Sequence, residues 1–162
     1  MGNTYQTDTD FSLETAVQTH TQMLFRIAFS MTGSPDDAED ILQNVFLKYH
    51  LKHPAFSDTE HCKAWLIRTA VNETKDFLRF RKRQRTLSEN AAQVLPREQD
   101  RTVMEALLAL PIKFQSVMYL FYVEGYRAEE IGKMLGVSSA AVRKRLQKGR
   151  AALKSIYLEG EL

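Results

Sequence analysis

Arg143, Lys144, Gln147 and Lys148 lie within six consecutive positions. If that stretch is helical, a rotation of about 100° per residue puts all four side chains on one side. Arginine can pair with guanine through two parallel hydrogen bonds, glutamine can reach base edges, and lysines neutralise phosphates, so this side has the chemistry to read duplex DNA. The block from Arg143 to Lys154 contains no acidic residue. Val142, Leu146, Gly149 and Leu153 occupy the other side, with the spacing of a buried stripe. A merely solvated basic face is the plainer alternative.

A second set recurs earlier in the chain. Arg68, Asn72, Lys75 and Arg79 stand at i, i+4, i+7 and i+11, while Ile67, Ala70, Val71, Thr74 and Leu78 line the opposite side. An asparagine amide offers both a donor and an acceptor to a base, and cations around it would hold a phosphate backbone. Trp65 lies seven residues before Asn72 on the same side, where it could pack into a core or face an unstacked base. A third set, Asp40, Gln43, Asn44 and Leu47, lies off the apolar stripe Ala38, Ile41, Leu42, Val45 and Tyr49. A leucine beside polar residues suggests a surface for docking a protein. His50, His53, His61 and Cys62 are close enough in sequence to raise the question of a metal. Pro54 interrupts them and adjacent ligands fit poorly, so no metal and no cofactor are expected.

The elements that must position these sets are helical. Glycine and proline are scarce, apolar residues recur at spacings of three and four, and nothing alternates as a strand would. Leu13 to Met31 reads as one helix, ended by Gly33. Pro35 opens a second, with Asp36 and Asp37 in its first turn, running to about Tyr49. A third spans about Glu60 to Arg83. Val103 to Leu110 follows, and then a helix opened by Pro111. Around Arg127 to Lys154 the pattern is helix-turn-helix: Gly132 leaves room for a close neighbour, Gly136 ends the first helix, Val137 plugs the corner and Ser138 caps the next. Gln84 to Thr102 is polar with few aliphatic residues, as a linker is. The expected fold is all-α, with two small helical domains joined by a flexible linker and a helix-turn-helix in the C-terminal one. The divisions are a tail at 1–12, a domain at 13–85, a linker at 86–102, a second domain at 103–157 and a tail at 158–162. Neither half is expected to have a large core.

Composition narrows the function. The net charge is only +2, yet an acidic zone near Asp36 to Asp40 and two basic zones, Arg79 to Arg85 and Arg143 to Lys154, imply more than one kind of partner. No apolar run approaches the roughly 18 to 20 residues that span a bilayer, and the N-terminus lacks the basic start and apolar run of a secretory signal. Cys62 is the only cysteine, which fits a reducing compartment. The expectation is a cytoplasmic protein without membrane insertion. Phosphate-binding glycine loops, nucleophile motifs and paired catalytic carboxylates are missing, so the chain is not expected to be an enzyme.

The order of the sets resembles a bacterial sigma factor of the extracytoplasmic-function group, from about Leu13 to Tyr157. Asp37-Ala38-Glu39-Asp40-Ile41-Leu42-Gln43-Asn44-Val45-Phe46 is similar to the helix by which that family grips the polymerase clamp. Ala64-Trp65-Leu66-Ile67-Arg68-Thr69-Ala70-Val71-Asn72 resembles the element that melts and reads the minus-ten promoter region. Leu110-Pro111 and Val142-Arg143-Lys144-Arg145-Leu146 resemble the minus-thirty-five reader. The resemblance implies that Asp40, Gln43, Asn44 and Leu47 contact core RNA polymerase. It places Trp65, Arg68, Asn72, Lys75 and Arg79 at minus-ten DNA, with Asn72 on an unpaired base of the non-template strand. It places Ser139, Arg143, Lys144, Gln147 and Lys148 at duplex minus-thirty-five DNA. An anti-sigma factor is a further candidate partner, since many relatives are held inactive by one. Asn44, Gln115 and Ala141 depart from the family's usual Glu, Arg and Thr. A dimeric helix-turn-helix regulator is the rival reading; it leaves the Arg68 to Arg79 stripe without a role.

Overall fold

The computed structural model describes residues 10–87 and 103–160. Seven helices follow in order: α1 (Leu13–Thr32), α2 (Pro35–Lys52), α3 (Thr59–Leu87), α4 (Val103–Leu108), α5 (Ile112–Tyr122), α6 (Ala128–Leu135) and α7 (Ser139–Gly160). Among the described residues there is no strand, and no helix is long and apolar enough to cross a membrane.

The helix ends are set by local chemistry. Ser12 caps α1 by accepting from the Thr15 N–H at 3.2 Å, and Gly33 closes that helix in the left-handed region at φ 67°. Ser34 caps α2 ahead of Pro35, and His53 ends it at φ 41°, an unusual conformation for a non-glycine residue. Residues 11 and 12, expected to belong to a tail, are part of the fold. The Tyr49 hydroxyl donates to the Phe11 carbonyl at 2.5 Å, and the Phe11 ring meets Phe56 edge-on at 5.5 Å. The last helix runs on to Gly160, past Tyr157 where the sequence reading ended the second domain. Residues 1–9 and nearly all of the expected linker lie outside the described residues.

α1, α2 and α3 pack on one another through Leu24, Ile27, Ile41, Val45, Leu66, Ile67 and Val71, all essentially inaccessible. A polar pair ties the same three-helix unit together: Arg81 on α3 donates to Asp37, buried in the first turn of α2. In the second unit, Val117, Leu120, Ile131 and Val142 join α5, α6 and α7. Gln115 is buried and donates to the Leu108 carbonyl at the end of α4 at 3.1 Å.

The two units do not stand apart, which sequence periodicity gave no reason to expect. Buried apolar residues from both halves form one continuous cluster, so the two small cores merge. α1 packs on α4 and α5, and α3 packs on α6. Leu108 lies so close to Gly33 that a methyl group there would sit 2.8 Å from Leu108 Cδ1. At the edge of this contact Arg26 on α1 pairs with Glu124 at 3.5 Å, and Glu124 also accepts from the Tyr119 hydroxyl at 3.2 Å. The Lys63 ammonium lies 5.2 Å from the centre of the Tyr126 ring.

Candidate nucleic-acid interface

The helix-turn-helix forms as its residues dictate. Gly136 adopts φ 70° at the corner, and the Ser138 hydroxyl accepts from the Ala141 N–H at 3.1 Å. Gly132 meets the turn so closely that a methyl group there would lie 2.7 Å from the Val137 carbonyl oxygen. Only glycine allows this approach, and the approach fixes the angle between α6 and α7. The Glu130 carboxylate folds back to the Arg127 N–H at 2.8 Å, satisfying one of the donors at the start of α6.

On α7 the inward stripe is buried at Val142, Leu146 and Gly149 and half-buried at Leu153, while Arg143, Lys144, Gln147 and Lys148 are exposed. Ser139, in the first turn, accepts from Arg143 Nη1 at 3.4 Å. The other terminal nitrogen of Arg143 donates to Glu129 on α6 at 2.5 Å. Glu129 was not singled out from the sequence. It lies fourteen positions from Arg143, and only the geometry of the turn brings the two together. Arg150, one of the basic block, donates to the Tyr122 hydroxyl at 3.0 Å.

On α3 the stripe is divided. Asn72 and Arg79 are exposed, and Arg79 pairs with Asp76 at 3.4 Å. Arg68, although exposed, leans on the corner of the second unit: a methyl group on Gly136 would lie 3.1 Å from Arg68 Nη2. Lys75 is half-buried, and its pKa is lowered by that burial and then by the charges of Arg145 and Arg79. Lys75 of the α3 stripe thus lies near Arg145 of α7, a cation outside the outward set Arg143, Lys144, Gln147 and Lys148. Trp65 is partly buried, edge-on to Tyr49 at 5.8 Å and to Phe56 at 6.1 Å. These contacts pack part of the ring and leave it partly accessible.

On α2 the apolar stripe Ala38, Ile41, Leu42, Val45 and Tyr49 is buried, and Asp40, Gln43, Asn44 and Leu47 are exposed. Leu47 is 54% accessible and Leu51, one turn on, 68%. The two leucines extend the exposed face of α2 by an apolar turn. The histidines make no metal centre: His50 and His53 have ring centres 5.8 Å apart, but His61 faces Ser57 and Cys62 is buried beside Tyr49. Among the described residues no group of three or more His, Cys, Asp or Glu could hold a metal ion.

An all-helical chain with a helix-turn-helix in one unit and a cationic stripe around an exposed asparagine in the other has the make-up of a DNA-binding protein. Family comparison matches both units. Residues 16–85 match Sigma-70 region 2, and residues 100–153 match Sigma-70, region 4. Curated relatives include the ECF RNA polymerase sigma factor SigW of Bacillus subtilis (strain 168), 27% identical, covering 85% of this chain and 84% of the relative. The RNA polymerase sigma factor SigV of the same organism is 29% identical, with 91% and 90% covered. A probable RNA polymerase sigma factor RfaY of Xanthomonas campestris is 32% identical, but the chain spans only 37% of its length. Among solved structures, the sigma factor RpoE bound to the anti-sigma factor NepR from Bartonella quintana shares the fold with a TM-score of 0.70 at 21% identity, covering 89% of this chain and 95% of that one. CnrH in complex with the cytosolic domain of CnrY gives 0.67 at 25% identity, with 90% and 86% covered.

The chain belongs to the sigma-70 family, in its extracytoplasmic-function group. It is an RNA polymerase sigma factor for promoter recognition, and its family consists of transcription initiation factors rather than enzymes.

Proposed function

We propose a division of labour between the helices. The exposed face of α2, with Asp40, Gln43, Asn44 and Leu47, docks on core polymerase. α7 holds duplex minus-thirty-five DNA through Arg143, Lys144, Gln147 and Lys148, with Ser139 in its first turn. The α3 stripe holds the opened minus-ten region, where Asn72 receives an unpaired non-template base while Arg68, Lys75 and Arg79 follow the backbone. The chain itself catalyses nothing; trapping the unpaired base shifts the equilibrium of the DNA toward the open form, and the polymerase supplies the chemistry. It works in the cytoplasm, where the polymerase is.

The observation that carries this reading is the presence of an exposed asparagine within the cations of α3, on a different unit from the exposed basic face of α7. A polar amide among cations suits a base better than a phosphate. The solved relatives bound to NepR and CnrY support an anti-sigma factor as a further partner of this chain.

The test is reconstitution with bacterial core polymerase on a promoter selected from random DNA. Asn72→Ala should reduce strand opening, read by permanganate reactivity of unpaired thymines, about tenfold or more, as expected when a base loses its partner at roughly 1 to 3 kcal/mol. Its binding to closed duplex should be unchanged. Arg143→Ala should instead weaken duplex binding. A chain that ignores core polymerase and binds palindromic duplex as a dimer would be a regulator of the rival kind.

A further inference from the structure

Glu129 stands on the ridge between two hollows of the second unit. One, of about 500 Å³, is lined by Gly132, Lys133, Gly136 and Ser139; the other, of about 430 Å³, by Phe121, Arg127, Leu146 and Arg150. Its carboxylate reaches Arg143 Nη2 at 2.5 Å, while Arg143 Nη1 is 3.4 Å from the Ser139 hydroxyl. The guanidinium is thus fixed at both terminal nitrogens. Of its five N–H donors it gives one to each neighbour, and the rest remain for a base edge. The second carboxylate of that turn, Glu130, is engaged with the backbone N–H of Arg127, while Glu129 meets its own N–H besides Arg143. The Glu129 pKa is lowered, first by the bond to its own backbone N–H and then by the hydrogen bond and charge of Arg143.

We infer that Glu129 is a positioning residue for promoter specificity, holding Arg143 in register with one base pair and reducing its attraction for phosphate in general. The inference rests on the reading of α7 as the duplex-contacting helix. An exposed ion pair contributes little to stability, and Arg143 and Glu129 are 56% and 55% accessible, so folding is not its role. Its effect is on choice. A free arginine on a basic face binds any phosphate within reach, a contact that carries no sequence information. With a carboxylate alongside, part of that attraction is offset, while the guanidinium keeps its remaining directional donors for guanine. A lysine held in this way would gain less, since its ammonium has no fork to orient.

The experiment uses holoenzyme assembled from the full chain and bacterial core polymerase. Its equilibrium binding is measured on the selected promoter, on the single-base-pair variants of its upstream element, and on unrelated duplex, over a range of salt. For Glu129→Gln the discrimination at the base pair read by Arg143 should fall about fivefold, within the range set by one bidentate contact. Affinity for unrelated duplex should rise and become steeper in salt as a cation is released to the backbone. In the Arg143→Ala background the same substitution should have no effect on discrimination. Glu129→Asp, which keeps the charge, should recover part of it. Unchanged discrimination in Glu129→Gln, with Arg143→Ala still impaired, overturns the inference and leaves the reading of α7 standing. A loss at a different base pair overturns it as well, because Glu129 would then be reading a base itself. If Arg143→Ala has no effect on promoter binding, the underlying reading of Arg143 falls, and the inference with it.

Discussion

A single arginine in this molecule can serve the fold or the nucleic acid, and the structure separates the two by what lies opposite each one. Arg81 belongs to the fold. Its partner Asp37 is buried, and removing the guanidinium leaves a carboxylate without its counter-charge in the first turn of α2. Because Arg81 is itself nearly half exposed, water offsets part of the loss. Arg81→Ala should therefore cost about 1–2 kcal/mol, seen as a lower urea midpoint with unchanged slope. An unchanged midpoint would mean that Asp37 is served equally well by solvent. The basic zone Arg79 to Arg85 looked uniform as a sequence, yet Arg79 and Arg81 each have an acidic partner, one local and one 44 positions away. Periodicity identifies which way a side chain faces, as it did for Arg143, Lys144, Gln147 and Lys148. It is blind to a partner on another helix, and so Glu129 beside Arg143 could not be read from it. A helix-turn-helix template could have found that pair, since it places the first turn of one helix over the second turn of the next.

At the scale of elements, the stops and starts were the most legible part. Gly33, Pro35, Gly136 and Ser138 each act through their own backbone or a bond within four residues, and all are where local chemistry puts them. The buried stripes of α2, α3 and α7 were legible for the same reason. Less so was α3, which runs four residues beyond the expected Arg83 to Leu87. The crossing of α6 and α7 depends on one hydrogen atom at Gly132. Alanine there would gain about 1 kcal/mol of helix propensity but would have to push the Val137 carbonyl away, and backbone yields less readily than a side-chain tip. Gly132→Ala is expected to lose a net 1 kcal/mol or so of stability, on the order of small overpacking effects. It should also turn the outward face of α7, so that duplex affinity drops by more than the unfolded fraction explains. Thermal melts paired with duplex binding on the same preparation separate the two; a variant as tight as the parent would show that the crossing angle is tolerant.

For the whole molecule, the contact between the two units is the feature that no local pattern announced. A 162-residue chain packed in this way has a radius of gyration of roughly 15 Å. The promoter elements named minus-ten and minus-thirty-five are about 25 base pairs apart, or about 85 Å of duplex at 3.4 Å per pair. With Arg68 against Gly136 the packed chain is shorter than that span, and on the proposed reading the units part when both elements are bound. Replacing Leu108 and Arg26 together by glutamate removes the packing at Gly33 and sets like charges opposite Glu124. Small-angle scattering of that free chain should show a radius several ångström larger, with helical circular dichroism retained. An unchanged radius would place the adhesion elsewhere, in the contact of Lys63 with Tyr126 or the close approach of Arg68 to the helix-turn-helix corner.

The position of Arg68 has a thermodynamic corollary. On the proposed reading a promoter phosphate draws the exposed Arg68 guanidinium away from Gly136, so self-contact and promoter contact compete. Linkage then has to be reciprocal: a polymerase surface that holds the units apart strengthens the grip on DNA by some factor, and promoter DNA must tighten the hold of polymerase on this chain by the same factor. The free chain would bind promoters weakly for want of a populated open form rather than for want of contacts, and its apparent affinity would report that population.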